Sequence, residues 1–269
     1  MVTTTLAYRR MGREAQGTLS VTARNLAAAR HAAYWMVLLS GFAEPLLYLF
    51  SIGVGVGKLI GDIPVADGRL VSYAQFVAPA TLAASAMTGA LAETIMNFYG
   101  KLKFMKLYDA TLATPVTPLQ LAGGELLWAM LRGSFYSAAF LAVMVALDLT
   151  TLGWALAAFP AAMLVGFAFG GLGMALSTLL RSWQDFDYVN VGQFALFLFS
   201  GTFAPPGDYP LVARVLIELT PLYHGVELVR GLCLGLLGWP LVWHAGYLAA
   251  LAAGGLWLAS RRLGRLLLH

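Results

Sequence analysis

This sequence has little charge. Only 11% of its 269 residues are Asp, Glu, Lys or Arg, against about 25% in an average soluble domain. That excludes most soluble enzymes. Cysteine is scarcer still: Cys233 is the single one, so an intrachain disulfide and a cysteine metal cluster are both ruled out, and its plain reading is a small apolar residue in a helix. Histidine is confined to His31, His224, His244 and His269. Only His224 has a carboxylate, Glu227, one helical turn away, and a metal site would want more converging ligands. The 29 glycines come without a G-X-Y period or a Pro and Ser bias, which excludes collagen-like and disordered chains.

What is abundant is apolar: 59% of the chain. A helix crossing a bilayer needs about 20 such residues, and six stretches qualify or nearly do: 34–57, 73–97, 119–147, 153–180, 188–204 and 239–260. The fifth is short and carries Asn190 and Gln193. Helices are expected throughout, because hydrocarbon offers no water to backbone groups and no stretch has the alternation of a membrane barrel. The predicted fold class is therefore all-α integral membrane, one transmembrane domain over 1–269 with little room for a soluble catalytic unit.

Six spans put both termini on one side. Of the 17 basic residues, 12 then fall with the termini, four (Lys58, Arg69, Arg214, Arg230) fall opposite, and Arg132 lies within the third span. The positive-inside rule makes both termini cytoplasmic in a multi-pass protein of the cell membrane. The basic residues are dispersed, so nucleic acid is not an expected partner. Arg9-Arg10 precedes no signal-type cleavage pattern, and the N-terminus reads as mature.

Four segments outside the spans are expected to be structured. Residues 18–33 set Leu19, Thr22, Ala23, Leu26 and Ala27 opposite Arg24 and Arg30, which suits a helix in the cytoplasmic interface. Residues 98–118 form a compact cytoplasmic connection. In 205–238, Pro205, Pro206, Gly207 and Pro210 break the chain before two short apolar helices, about 211–219 and 224–237, which dip into the outer leaflet and return. The tail carries Arg261, Arg262 and Arg265 beside the membrane, where anionic headgroups are attracted.

Few residues offer chemistry. Gly53-Val54-Gly55-Val56-Gly57-Lys58-Leu59 imitates a phosphate-binding loop, but Ile52 stands where its first Gly belongs, Leu59 where Ser or Thr should hold magnesium, and no soluble strand precedes it. Asp185 and Asp187 are expected to solvate a turn and begin a helix. Ionisable groups at bilayer depth are more informative, because burying them is costly. Glu44 stands before Pro45 in the first span, and Glu93 near the inner end of the second. Glu125 and Arg132 share one face of the third, about 10 Å apart along it. They either line a translocation path or form interhelical ion pairs, such as Arg132 with Glu44 or Glu93. Gly166, Gly170 and Gly173 give the fourth span a close-packing face.

The segments Phe42-Ala43-Glu44-Pro45-Leu46-Leu47-Tyr48-Leu49, Lys106 to Pro118 (KLYDATLATPVTP), Gly124-Glu125-Leu126-Leu127-Trp128 with Arg132-Gly133, and Pro221 to Gly231 (PLYHGVELVRG) resemble the permeases of ABC exporters of the second, polysaccharide- and drug-exporting class, most closely the NodJ-like subfamily. The resemblance covers nearly the whole chain; Ala204-Pro205-Pro206-Gly207 departs from it, where members tend to carry Phe-Pro followed by polar residues. It implies a subunit that is no enzyme and binds no cofactor, paired with a separate ATPase that binds ATP and Mg, two copies of each permease and ATPase forming the exporter, the second permease being a copy or a paralogue. It implies that 98–118 carries a coupling helix, with Lys101, Phe104, Tyr108, Asp109, Leu112 and Pro115 as ATPase contacts. His224, Glu227 and Arg230 become an outer gate, or else a local cap. Relatives suggest lipo-oligosaccharide, lipid, drug or polysaccharide cargo, and membrane lipid is a further partner. Two other readings remain: a stand-alone secondary transporter coupling ions through Glu44, Glu93 or Glu125, and an intramembrane enzyme acting on lipid.

Overall fold

A computed structural model of the chain describes residues 2–29, 47, 50–65 and 67–267. Most of the expected first span, with Glu44, lies outside the described residues.

The first helix, α1 (Val2–Ala29), begins well before the expected residue 18. A π-helical stretch Ser51–Val56 runs into the short α2 (Gly57–Ile60). There the segment that imitates a phosphate-binding loop follows helical residues Leu47 and Phe50 and leads into an antiparallel hairpin, β1 (Asp62–Pro64) with β2 (Leu70–Ser72), pairing Ile63 with Val71. This hairpin modifies the all-α expectation. Its buried side seats Ile63 against Tyr73, Phe76 and Val77, so it caps one end of the next helix and is held by that apolar contact.

Helix α3 (Tyr73–Leu91) starts at a reciprocal cap in which Ser72 and Gln75 satisfy each other's backbone N–H. It passes into two π-helical stretches, Ala92–Asn97 and Gly100–Phe104, in the first of which the Thr94 hydroxyl donates to the Ala90 carbonyl at 2.7 Å. A residue in left-handed conformation, Lys106 (φ 46°), breaks the chain, and the one-and-a-half-turn α4 (Leu107–Leu112) follows. Helix α5 (Pro118–Ala146) has the same kind of start, Thr117 capping with Gln120 and Pro118 at the first position. It coincides with the expected 119–147. Helix α6 (Leu152–Ser177) covers most of 153–180.

Helix α7 (Asp185–Leu198) stops six residues short of the expected end of the fifth span; its 14 residues reach about 21 Å. Asp185 accepts from the backbone N–H of Arg181 and Ser182 at 2.7 and 3.1 Å, closing the preceding turn, and these bonds hold its carboxyl below the ordinary value. The chain then turns at Gly201 (φ +68°) into the two short helices, α8 (Leu211–Glu218) and α9 (Pro221–Cys233). The second begins three residues earlier than expected, because Pro221 and the Thr220 hydroxyl start it. The last helix, α10 (Trp239–Leu267), does not end at 260 but continues through the arginine tail, where Arg262 donates to the Thr178 hydroxyl at 2.8 Å and Arg261 lies over Trp257.

Among the described residues, α5, α6 and α10 are the helices long and apolar enough to cross a membrane. Helix α6 is central. It packs most extensively with α10, and also with α3, α5 and α9. The expected small face of α6 meets α5 and the end of α3 with the π-helical stretch after it, Gly166 facing Met130, Gly170 facing Leu126 and Gly173 facing Thr94 and Leu91. The tightest crossing was not expected. A Cβ on Gly255 of α10 would fall onto the Gly171 backbone of α6, and one on Gly171 would lie 2.8 Å from the Ala252 carbonyl oxygen. Gly255→Ala must push two backbones apart and should lower stability by about 1–3 kcal/mol, read as an earlier thermal midpoint in detergent. A matching substitution at Gly246, which has open space around it, should leave the midpoint unchanged.

Candidate functional site

Three groups of polar side chains occupy different depths of this bundle. In the middle, α3, α5, α6 and α7 surround a cavity of about 660 Å³. Its wall is largely apolar, with Phe140, Phe194 and Phe197 among the lining residues. One polar stripe crosses it. Glu93, on the π-helical stretch after α3, is ion-paired with Arg132 of α5, the two side chains 17% and 14% exposed, and Asn97 donates to Glu93 at 2.7 Å. Farther along, Gln193 of α7 donates to the Thr88 hydroxyl of α3 at 3.0 Å, and Asn190 and Tyr136 complete the stripe. The two polar residues that weaken the fifth span as a sequence thus belong to the cavity wall. A largely apolar cavity with a few polar groups from α3, α5 and α7 suits an amphipathic molecule better than a hydrated ion.

At the cytoplasmic end by the expected topology, Glu125 does not join Arg132. Its carboxylate, 7% exposed, is held by Arg24 of α1 at 2.9 Å and by Lys101 at 2.6 Å. Arg24 also donates to the Thr111 hydroxyl of α4 at 3.0 Å, and Lys101 to the Asn25 side chain at 3.3 Å. Helix α1 can come this close because position 124 is glycine: a Cβ there would sit 2.5 Å from the Cβ of Val21, and Thr22 donates to the Gly124 carbonyl at 3.1 Å.

The expected ATPase contacts divide accordingly. Tyr108 is fully buried, its ring 5.0 Å from that of Phe98, and it anchors α4. Burial first, and the nearby Glu125 second, push its phenol well above the ordinary value. Lys101 is likewise turned inward to Glu125, and Leu112 is half-buried against the core. Phe104, Asp109 and Pro115 are exposed. Phe104 has a partner that the sequence did not single out: it stacks on Trp183 at 5.5 Å, and Trp183 stacks on Phe186 at 5.0 Å, with Tyr99 edge-on to all three. Phe104 and Trp183 are 60% and 54% exposed. A tryptophan in the polar turn Arg181-Ser182-Trp183-Gln184 was the available signal.

The third group lies at the opposite end. Arg230 is buried and spends its donors on the Phe76 carbonyl at 3.1 Å, the Gly201 carbonyl at 2.8 Å and Glu227 at 2.6 Å, with the guanidinium 3.8 Å above the Phe76 ring. It ties α9 to the start of α3 and to the turn after α7. His224 meets His244 of α10, Nδ1 to Nδ1 at 2.7 Å, and stacks on Tyr247. Of the expected outer gate, Arg230 with Glu227 thus has the geometry of a tie in this conformation. No group of three or more His, Cys, Asp or Glu among the described residues could hold a metal ion.

A helical bundle with membrane-length apolar helices, a largely apolar cavity and a compact connection anchored beneath it defines the class: a polytopic membrane protein. The chain belongs to the ABC-2 type transporter family, whose sequence profile matches residues 18–234. It is 32% identical over 252 residues to nodulation protein J of Rhizobium leguminosarum bv. trifolii, covering 93% of this chain and 94% of that one. It is 33% identical over 218 residues to nodulation protein J of R. leguminosarum bv. viciae, 81% and 82% of the two chains. Nodulation protein J of R. meliloti (strain 1021) is 31% identical over 254 residues, 93% and 94%.

Proposed function

We propose that this chain is the membrane permease subunit of an ATP-driven exporter, with six spans and both termini in the cytoplasm, moving an amphipathic lipid, glycolipid or hydrophobic drug out of the cytoplasm or inner leaflet. The observation that carries the reading is the pairing of an amphipathic cavity with an exposed aromatic plate, Phe104 on Trp183, beside α4. Apolar rings at a cytoplasmic surface are costly unless something covers them. The occupant is a separate ATPase, which supplies the ATP and Mg chemistry, and Asp109 and Pro115 extend the docking face. In this cycle ATP closes the partner dimer, the connection follows, and the spans open toward the outer leaflet. Re-entry of α8 and α9 into the outer leaflet is part of the same reading. A secondary transporter is less well supported, because Glu93 and Glu125 are both held by cations.

The test is co-purification with the ATPase expected in the neighbouring reading frame, then ATPase assays in nanodiscs with added lipids and drugs. Phe104→Asp with Trp183→Asp should leave the chain inserted and reduce recovery of the ATPase at least tenfold. Recovery at the wild-type level would remove the docking face. Ion-driven transport by the chain alone would remove the exporter reading.

A further inference from the structure

Two ion pairs join the same two elements with opposite polarity. The segment that continues α3 contributes Glu93 from its first π-helical stretch and Lys101 from its second. Helix α5 contributes Arg132 and Glu125. The separations match: eight residues from 93 to 101 on one side, seven from 132 back to 125 on the other. The elements run antiparallel, so the pairs form two rungs, acid to base and then base to acid. Sliding one element past the other strips both rungs at once, and stripped charges in a poorly hydrated site are expensive. The register between them is therefore fixed at two points.

The lower rung is the one joined to the cytoplasmic connection. Glu125 holds Arg24 as well as Lys101, and Arg24 reaches Thr111 of α4. The upper rung lines the cavity. Between the rungs α5 is an unbroken α-helix, which transmits displacement along its axis. Its partner segment is π-helical at both rungs, and π-turns inside helices are frequent at functional sites.

Resting on the exporter reading above, we propose that Glu125 is a positioning residue of the export cycle: by holding Lys101 and Arg24 together it makes movement of α4 arrive at Arg132 as a joint displacement of α5 and the end of α3, their register unchanged. Glu125 touches no cargo. Without its charge the connection still docks and still moves, but α5 no longer follows.

The experiment uses the full chain assembled with its ATPase in nanodiscs, with Cys233→Ser and one reporter cysteine at a time. The exposed sites Ala110 in α4 and Ala138 in α5, beyond Arg132, carry spin labels, and their nucleotide-dependent distances to a label at the corresponding position of the second permease, copy or paralogue, are measured. In the otherwise unmodified complex both distances change with ATP. With Glu125→Gln the Ala110 change persists and the Ala138 change falls to less than half. Exchanging the whole cluster, Glu125→Lys with Lys101→Glu and Arg24→Glu, restores it. A Glu125→Gln complex whose Ala138 label responds fully overturns the proposal. If Glu125→Gln fails to assemble, the exchanged cluster decides: assembly with a restored Ala138 response supports the proposal, and assembly without it overturns the proposal. A complex with native Glu125 in which neither label responds to ATP overturns the exporter reading instead.

Discussion

Arg230→Met will lower the stability of the folded chain by about 3–5 kcal/mol, the range for stripping one partner from a buried ionic network. The physical reason is what the guanidinium leaves behind. The Phe76 and Gly201 carbonyls lose their side-chain donor, Glu227 keeps a charge with no cation beside it, and the face of Phe76 loses its cover. Methionine restores much of the volume, so the effect isolates the lost donors from a cavity. Glu227→Gln, by contrast, keeps an acceptor for Arg230 and leaves both carbonyl bonds, and should cost about 1 kcal/mol. Thermal and denaturant unfolding in detergent distinguish the two. An Arg230→Met chain as stable as its parent would show that α9 is held by its apolar face alone, and the outer gate would regain its claim on this residue.

Arg132→Ala has the second large effect, and it should appear in both stability and transport. Alanine leaves the Glu93 carboxylate in a wall 17% exposed without its cation, with an expected loss of about 3 kcal/mol. The double change Glu93→Gln with Arg132→Gln removes both charges and should recover most of that stability, since two amides can bond each other at lower desolvation cost. If the polar stripe binds cargo, the recovered fold will still lack stimulation of the partner ATPase by added amphipaths, at least tenfold below the parent. Full stimulation in the double variant would reduce the ion pair to a packing device.

Much of the fold is legible in the chain. Hydropathy marks 119–147 and 153–180 to within a few residues of α5 and α6 because an apolar run and its length are additive, local properties. The start of α5 is legible from Thr117-Pro118 and Gln120, since a cap acts over three residues. The pairing of Glu93 with Arg132 is among the alternatives that sparse intramembrane charge leaves open. The hairpin 62–72 is not legible: three-residue strands fall below any periodic signal, and this one is held by Tyr73 and Phe76. Nor is the burial of Tyr108, because a six-residue helix turns its ring inward only once Phe98 is there to receive it.

The sequence by itself determined that this chain belongs in a membrane and that its few charges at apolar depth need partners. Tertiary structure alone decided which partners. Glu125 and Arg132 share a helix face, yet the first turns to Arg24, 101 residues upstream, and to Lys101, while the second turns to Glu93. Gly171 meets Gly255, and Phe104 finds Trp183. Partition into a membrane sums the properties of neighbouring residues, whereas a desolvated charge or a bare glycine backbone is satisfied by whatever the packed helices bring within a few ångströms, however distant along the chain.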